Sequence, residues 1–179
     1  MGRIVGQLGV VWGIVGIFAL LLSAVYRLGV RAVAAYEGGL TPGQWAIAVF
    51  VCIAMAYSEG YRAFQKRFSP RTASRIRYLR DRPSALRSLL APLFAMGFFH
   101  ADRRTKITAY ALTIGIVTLV VLVHRLDQPW RGIIDAGVVV GLTWGVLSLA
   151  WSTLQVLRLP GSNVQIDSVP PHESRVLEE

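Results

Sequence analysis

Residues 4–26 read IVGQLGVVWGIVGIFALLLSAVY, an apolar run of 23 residues in which Gln7 is the one strongly polar side chain. An α-helix rises about 1.5 Å per residue, so about 20 residues cross the roughly 30 Å hydrocarbon core of a bilayer. A secretory signal peptide has an apolar region of only about 7–15 residues, and no small-residue cleavage site follows this run at a suitable distance. The stretch therefore predicts a retained first membrane-spanning helix.

Three further apolar runs are long enough to span a bilayer, at about 45–61, 107–124 and 133–157. Thr41-Pro42 precedes the first of these runs and is typical of a helix start. Residues 129–132 contain proline and glycine and predict a tight turn between the last two helices. The four runs together predict an all-α integral membrane protein with four transmembrane helices.

One apolar stretch, residues 85–99, is too short to be a fifth span. Its 15 residues contain Arg87 and Pro92, and as a helix they would reach only about 22 Å. One face carries small or polar residues and the other carries leucines and phenylalanines. We expect this piece to lie at the membrane interface or to re-enter the bilayer, rather than to cross it.

Composition excludes an ordinary soluble domain and a disordered chain. Hydrophobic residues make up 54 % of the chain, charged residues only 16 %, and the mean hydropathy is +0.49. Soluble domains carry about 25 % charged residues. The single cysteine, Cys52, excludes an intramolecular disulfide framework, and no Cys/His cluster has zinc-site spacing.

The distribution of Lys and Arg predicts the orientation in the membrane. Of the 19 basic residues, 11 lie in the segment 65–106, between the second and third predicted spans. The positive-inside rule places this segment in the cytoplasm. Four spans then predict that both termini are cytoplasmic, in a bacterial inner membrane. Residues 160–179 form a proline-rich, acidic tail that we expect to be disordered.

The basic segment 65–106 predicts two short amphipathic helices along the membrane. Ser69-Pro70 suits a helix start, and the helix is expected to end before Pro83. Between these points Ala73, Ile76 and Leu79 form one apolar stripe surrounded by arginines. Ser84 is then a candidate N-cap for the second short helix.

The arginines of this segment are the candidate lipid-binding or partner-binding residues. They serve at least as a topology signal and as an anchor to anionic lipid in the cytoplasmic leaflet. They also suit a platform for an acidic protein partner, a lipid headgroup or a phosphate ligand. Nucleic acid is not expected, because the chain has no nucleic-acid-binding motif. The candidates are Arg71, Arg75, Arg77, Arg80, Arg82, Arg87, Arg103 and Arg104.

Gly137, Gly141 and Gly145 recur at steps of four in the last span, a pattern that lets another helix approach closely. Two partners fit this helix-packing face. One is the preceding helix, where Thr108, Ala111, Gly115 and Thr118 form a small-residue side. The other is a second copy of the chain, which would make the face a homo-oligomer interface.

Three polar residues within or near the spans are candidates for an intramembrane role: Gln7, Glu59 and Asp135. A carboxylate in a span is a functional candidate by default. Asp135 has a competing structural role, because Arg131 precedes it by four residues and can pair with it along the helix. All three residues lie near span ends, whereas transport sites place polar groups near the midplane.

No motif for catalysis, metal binding or haem ligation is present, and the sequence implies neither a cofactor nor an enzyme. The leading hypothesis is a non-catalytic membrane scaffold or accessory subunit that engages anionic lipid or a protein partner through its basic segment. The alternative is a small oligomeric transporter or channel for an ion or small solute.

Overall fold

The computed structural model describes residues 2–82, 84–101 and 103–158, with the side chains of these residues except 2–5, 104, 108 and 112. The predicted disordered tail, 160–179, lies outside the described residues. The described chain is helical and contains no strand. Four of its helical stretches are long and apolar enough to cross a membrane, which agrees with the four predicted spans.

The helices follow one another with short connections. In chain order they are α1 (Gly2–Glu37), α2 (Pro42–Met55), a π-helical segment (Ala56–Phe68), α3 (Ser69–Asp81), α4 (Ala85–Leu89), α5 (Ala91–Met96), α6 (Arg103–Val123) and α7 (Trp130–Arg158). The stretch 85–99 is thus two helices of five and six residues. Neither of them is long enough to span a bilayer.

The first helix is longer than the apolar run predicts, since it ends at Glu37 rather than near Tyr26. No proline or glycine pair interrupts the chain until Gly38 and Gly39, so the helix continues past its apolar part. Gly39 adopts φ +79°, a left-handed conformation that favours glycine, and its N–H donates to the Tyr36 carbonyl at 3.1 Å. The positive φ ends the helix.

Helix α2 begins as its sequence predicts, at a Thr41 N-cap followed by proline in the first turn. Thr41 Oγ1 accepts from the Gln44 N–H at 3.4 Å, and Gln44 Oε1 accepts from the Thr41 N–H at 2.9 Å. This reciprocal arrangement is a capping box, which satisfies two backbone donors at the helix start.

The second helix does not stop where a separate amphipathic helix was expected to start. Phe68, the residue before α3, is itself helical, so α2, the π-helical segment and α3 form one continuous helix from Pro42 to Asp81. Pro70 cannot donate to the carbonyl four residues earlier. The wider π-helical backbone directly before Ser69 accommodates that loss without ending the helix.

Of two local predictions about helix starts, one holds in part and one is wrong. Ser84 occupies the N-cap position of α4, but its side chain makes no capping hydrogen bond in the described part of the chain. The predicted turn at 129–132 is helical from Trp130 onward, and residues 124–129 make the connection instead. The Gly132 N–H is bound by Gln128 Oε1 at 3.2 Å, so a side chain satisfies a donor in the first turn of α7.

The fold divides into two compact units. The first unit comprises the described parts of Met1–Ile17, Phe68–Ile114 and Leu149–Glu179. The apolar stripe predicted on α3 is confirmed as part of its core, because Ala73, Ile76 and Leu79 are each at most 2 % exposed. They share that core with other buried residues from α1, α5 and α7: Val10, Ile17, Ala91, Phe94, Ala95, Leu149 and Val156.

The second unit comprises Phe18–Arg67 and Gly115–Ser148. Its packing is close because small residues meet at the helix contacts. A Cβ built on Gly132 would collide with the Cβ of Ala35, so α7 and α1 approach backbone to backbone there. Tyr36 and Trp45 pack with ring centroids 5.3 Å apart at the ends of α1 and α2. The buried apolar residues are Leu21, Ala32, Ala35, Ala48, Val123 and Ile133.

Candidate lipid-interaction surface

The arginines predicted to bind lipid or a partner all belong to the first unit, and they differ in exposure. Arg75 is buried, at 1 % exposure. The side chain of Arg104 lies outside the described residues. The other six, which we call the basic surface, are exposed or half-buried: Arg71, Arg77, Arg80, Arg82, Arg87 and Arg103.

Arg75 is a structural residue, which corrects its placement among the candidate binding arginines. Its Nε donates to the Phe94 carbonyl at 2.7 Å, and its Nη2 donates to the carbonyls of Phe99 at 2.7 Å and His100 at 3.0 Å. The guanidinium also lies 4.2 Å from the centroid of the Phe94 ring. Arg75 therefore satisfies the carbonyls of Phe99 and His100 beyond the end of α5, and it adds a second donor to the Phe94 carbonyl, which also accepts from the Gly97 N–H at 3.0 Å.

Local contacts partly neutralise two arginines of the basic surface, Arg77 and Arg80, and fix the position of a third, Arg87. Arg77 Nε and Arg80 Nε lie 3.7 Å and 3.1 Å from the Asp81 carboxylate, so one acid serves two arginines. Arg87 Nη1 donates to the Tyr78 hydroxyl at 3.2 Å, and its guanidinium is 5.4 Å from that ring. The tyrosine holds Arg87 in place without neutralising it.

Residues 84–100, which we call the hairpin, contain α4 and α5 and a break between them. The helix breaks at Leu90, with φ −99° and ψ 30°, and α5 ends at Gly97 with φ +92°. The side chains of four leucines remain outside the core: Leu86, Leu89, Leu90 and Leu93, with exposures of 56 %, 71 %, 37 % and 44 %. We call them the hairpin leucines.

The first part of α1 packs against the hairpin through three glycines. A Cβ built at Gly9 would lie 2.7 Å from Ser88 Oγ, and one at Gly16 would lie 2.6 Å from Pro92 Cγ. Between them, a Cβ at Gly13 would lie 3.2 Å from the Ala91 Cβ. These glycines allow the hairpin to lie directly on the α1 backbone.

Trp12 joins this contact with a hydrogen bond that the sequence analysis missed. Its Nε1 donates to the Leu89 carbonyl at 3.1 Å, at the break between α4 and α5. A helix end leaves carbonyls without intrahelical donors, and the indole supplies one. The sequence signal was the glycine spacing around Trp12, although it does not indicate which segment the face meets.

In the second unit, the helix-packing face of α7 meets the second helix rather than the preceding one. A Cβ on Gly137 would lie 2.7 Å from Val51 Cγ1. One on Gly141 would lie 3.2 Å from the Met55 carbonyl oxygen, and one on Gly145 would lie 2.6 Å from Phe64 Cγ. On α6, Gly115, one member of the expected partner surface, has nothing within 4 Å of its Cβ position.

The contact between α7 and the second helix also involves a glycine of the π-helical segment. A Cβ on Gly60 would lie 2.8 Å from the Trp144 Cβ, so the glycine makes room for the indole. Trp144 Nε1 donates to Gln65 Oε1 at 2.8 Å. Glycines on both helices thus bring the π-helical segment and α7 close together, and one side-chain hydrogen bond spans the contact.

The three candidate intramembrane polar residues are divided between the two units. Gln7 is exposed in the first unit. In the second unit, Glu59 is half-buried beside Gly141, and Asp135 is 4 % exposed, six residues before that glycine. Six residues correspond to about 9 Å along a helix.

Asp135 lies next to a small polar group at the start of α7. Arg131 Nε is 4.0 Å from Asp135 Oδ2, the i,i+4 pairing that the sequence predicts. Arg131 Nη2 is also 3.0 Å from His124 Nδ1, a contact that was not predicted. Asp135 Oδ2 accepts no hydrogen bond from the described residues. Among the described residues, the interaction of Asp135 Oδ2 with Arg131 is therefore an ion pair without a hydrogen bond.

Comparison with protein-family models, with curated proteins and with solved structures finds no match for this chain. Among the described residues, no group of three or more His, Cys, Asp or Glu side chains is placed to hold a metal ion.

Proposed function

We propose that this chain is a non-catalytic multi-pass protein of the bacterial inner membrane that binds anionic lipid on the cytoplasmic side, as a scaffold or accessory subunit. The observation that carries the proposal is the combination of charged and apolar exposure in the first unit. Arg71, Arg82 and Arg103 are exposed, and the hairpin leucines between Arg82 and Arg103 are exposed too.

The charged part of this surface suits phosphate headgroups. Each basic residue near an anionic membrane surface contributes about 1 kcal/mol of attraction. Arginine is well suited to the task, because its planar guanidinium donates two parallel hydrogen bonds to a phosphate and stays charged. The basic surface has six arginines, and the sequence from Arg71 to Arg103 contains two acids, Asp81 and Asp102. Its net charge remains strongly positive.

The apolar part suits lipid better than water. Leu89 is 71 % exposed and Leu86 is 56 % exposed on α4, which carries Arg87 between them. Apolar surface costs about 25 cal/mol per Å² in water, and that cost disappears when acyl chains cover the side chains. Arginines beside exposed leucines are typical of segments that contact a bilayer.

The orientation follows from the charge rule. Four spans with the basic segment inside predict that both termini are cytoplasmic. Cysteine labelling at Gly38, Arg77, Arg104 and Gln128 is expected to report outside, inside, inside and outside. A result with Arg77 and Arg104 on opposite sides would contradict the four-span arrangement.

The proposal is tested by measuring lipid affinity directly. The purified full-length chain is titrated with phosphatidylglycerol or phosphatidylcholine, and bound lipids are counted by native mass spectrometry. We expect preferential binding of phosphatidylglycerol. The double variant Arg71→Gln with Arg82→Gln removes two exposed charges, or about 2 kcal/mol, and is expected to weaken that binding roughly 30-fold.

A matched control removes two exposed charges elsewhere. Arg27 and Arg125 are also exposed and belong to the second unit. The double variant Arg27→Gln with Arg125→Gln is expected to change phosphatidylglycerol affinity less than threefold. Equal losses in the two double variants would mean that only total charge matters, and the basic surface would not be a binding surface.

A second candidate function is passage of a proton or ion, and one observation favours it. Asp135 is almost fully buried, yet its Oδ2 accepts no hydrogen bond from the described residues. Proteoliposomes with a pH-sensitive dye inside would report such an activity. The transport hypothesis predicts a proton flux that Asp135→Asn abolishes and that the Arg71→Gln, Arg82→Gln variant leaves intact.

A further inference from the structure

The hairpin has two irregular places, and a side chain from another helix satisfies backbone carbonyls at each. At the break, Trp12 Nε1 donates to the Leu89 carbonyl at 3.1 Å. At the far end, Arg75 donates to the carbonyls of Phe94, Phe99 and His100. The Trp12 hydrogen bond is exposed, so in water the Leu89 carbonyl would need no protein partner, whereas in hydrocarbon a bare carbonyl costs several kcal/mol.

The surface around the break is apolar on both of the packed elements. The hairpin leucines are exposed, and so are Leu8, Val11, Trp12 and Val15 on the stretch of α1 that carries the contact, at 53–65 %. That stretch belongs to a candidate span and to the same unit as the hairpin. Charged residues flank the hairpin at Arg82 and Arg103, and both are exposed.

We propose that the hairpin is re-entrant: it enters the cytoplasmic leaflet and returns to the cytoplasmic side, with the hairpin leucines against lipid acyl chains. The inference rests on the proposed function, which places the basic surface at the anionic leaflet, and it adds the mode of contact. Arg82 and Arg103 then lie at the headgroups. Arg87 lies below them, with its guanidinium bound to the Tyr78 hydroxyl, and the break at Leu90 lies in hydrocarbon with its carbonyls satisfied by protein.

The contact with α1 sets the expected depth. Trp12 lies eight residues along α1 from Ile4, where the apolar run begins. Eight residues correspond to about 12 Å, compared with a half-thickness of about 15 Å for the hydrocarbon core. Because Trp12 binds the Leu89 carbonyl, Leu89 is expected about 12 Å below the start of the hydrocarbon, at the depth of Val11 and Trp12.

Depth is measured by site-directed spin labelling of the full-length chain in sealed, uniformly oriented proteoliposomes that contain phosphatidylglycerol, with Cys52 replaced by alanine and the nickel reagent added on one side. Single labels are placed at Leu89, at Val11 as the embedded reference, and at Arg82 and Arg103 as headgroup references. We expect the Leu89 label to be accessible to oxygen and protected from a water-soluble nickel reagent, as the Val11 label is. The Arg82 and Arg103 labels are expected to contact nickel from the same side.

Two results would overturn the inference. A Leu89 label as accessible to nickel as the Arg82 label would make the hairpin interfacial. Labels at Arg82 and Arg103 on opposite sides of the membrane would make the segment a fifth span. The proposed function fails separately: a deep Leu89 label with phosphatidylglycerol affinity unchanged by Arg71→Gln and Arg82→Gln would keep the re-entrant hairpin and remove the lipid-binding role.

A second measurement tests the hydrogen bond at the break. Trp12→Phe removes the indole N–H and keeps an aromatic ring, while Trp151→Phe makes the same change at a tryptophan that is 65 % exposed in the same unit. We expect Trp12→Phe to raise nickel access at a Leu89 label at least twofold and Trp151→Phe to leave it unchanged. Equal nickel access in the two variants would show that the carbonyl needs no protein donor, and the hairpin would then contact water.

Discussion

The glycine contact between α1 and the hairpin makes a quantitative prediction for alanine substitutions. At Gly9, an added Cβ would lie 2.7 Å from Ser88 Oγ, 2.8 Å from Ser88 Cβ and 3.0 Å from Ser88 Cα. The last atom belongs to the backbone and cannot move away by side-chain rotation. At Gly29, on the same helix, nothing lies within 4 Å of the Cβ position.

The expected free energies follow from two terms. Alanine gains about 0.8–1.0 kcal/mol over glycine in a helix interior. Overpacking of a close contact costs about 1–3 kcal/mol. Gly29→Ala therefore gains only the first term and is expected to stabilise the protein, whereas Gly9→Ala is expected to be less stable than Gly29→Ala by about 1–3 kcal/mol. Gly13→Ala, with its nearest contact at 3.2 Å, is expected to fall between them.

The assay is reversible unfolding in mixed micelles, monitored by tryptophan fluorescence, with the free energy of unfolding taken from the denaturant titration. All three variants add one methyl group to one helix, so differences in composition cannot explain the order. If Gly9→Ala and Gly29→Ala have the same stability within about 0.5 kcal/mol, the hairpin does not lie on the α1 backbone.

Four more substitutions test other contacts. Arg75→Lys keeps the charge but replaces a planar fork with a single ammonium, so it is expected to lower the free energy of unfolding by about 2 kcal/mol in the same titration. Gly145→Ala places a Cβ 2.6 Å from the Phe64 ring and is expected to lower the thermal unfolding temperature in detergent, and unchanged stability would contradict the contact. Arg131→Gln leaves the buried Asp135 carboxylate without its nearest charge and is expected to cost about 3 kcal/mol, whereas Asp135→Asn is expected to change stability by less than 1 kcal/mol.

The periodicity and the length of the apolar runs predicted the features that depend on a single helix. The four long apolar helices follow from their sequence runs, and the buried stripe of Ala73, Ile76 and Leu79 follows from helical spacing. The start of α2 at Thr41 follows from its capping residues. Each of these features depends on residues that lie within a few positions of one another.

Contacts between residues that are far apart in the chain could not be predicted from the sequence pattern. Arg75 carries the same local signal as Arg71, but the carbonyls that bind it come from residues 19–25 positions later. The spacing of the glycines in α7 indicates a close helix contact without identifying the partner, which is the second helix rather than α6. Ser69-Pro70 predicts a helix start, but the residues there continue a helix that began at Pro42. A local capping signal cannot indicate whether the preceding residues are already helical.

Photo-crosslinking in intact membranes tests the central claim most directly. Cells that express the full-length chain are supplied with a photoactivatable anionic phospholipid, irradiated, and the lipid adducts are mapped by mass spectrometry of peptides. Lipid binding through the basic surface predicts adducts concentrated between Arg71 and Arg103, several-fold above those from a matched zwitterionic probe. Adducts spread evenly over all apolar helices, or equal yields from the two probes, would contradict it.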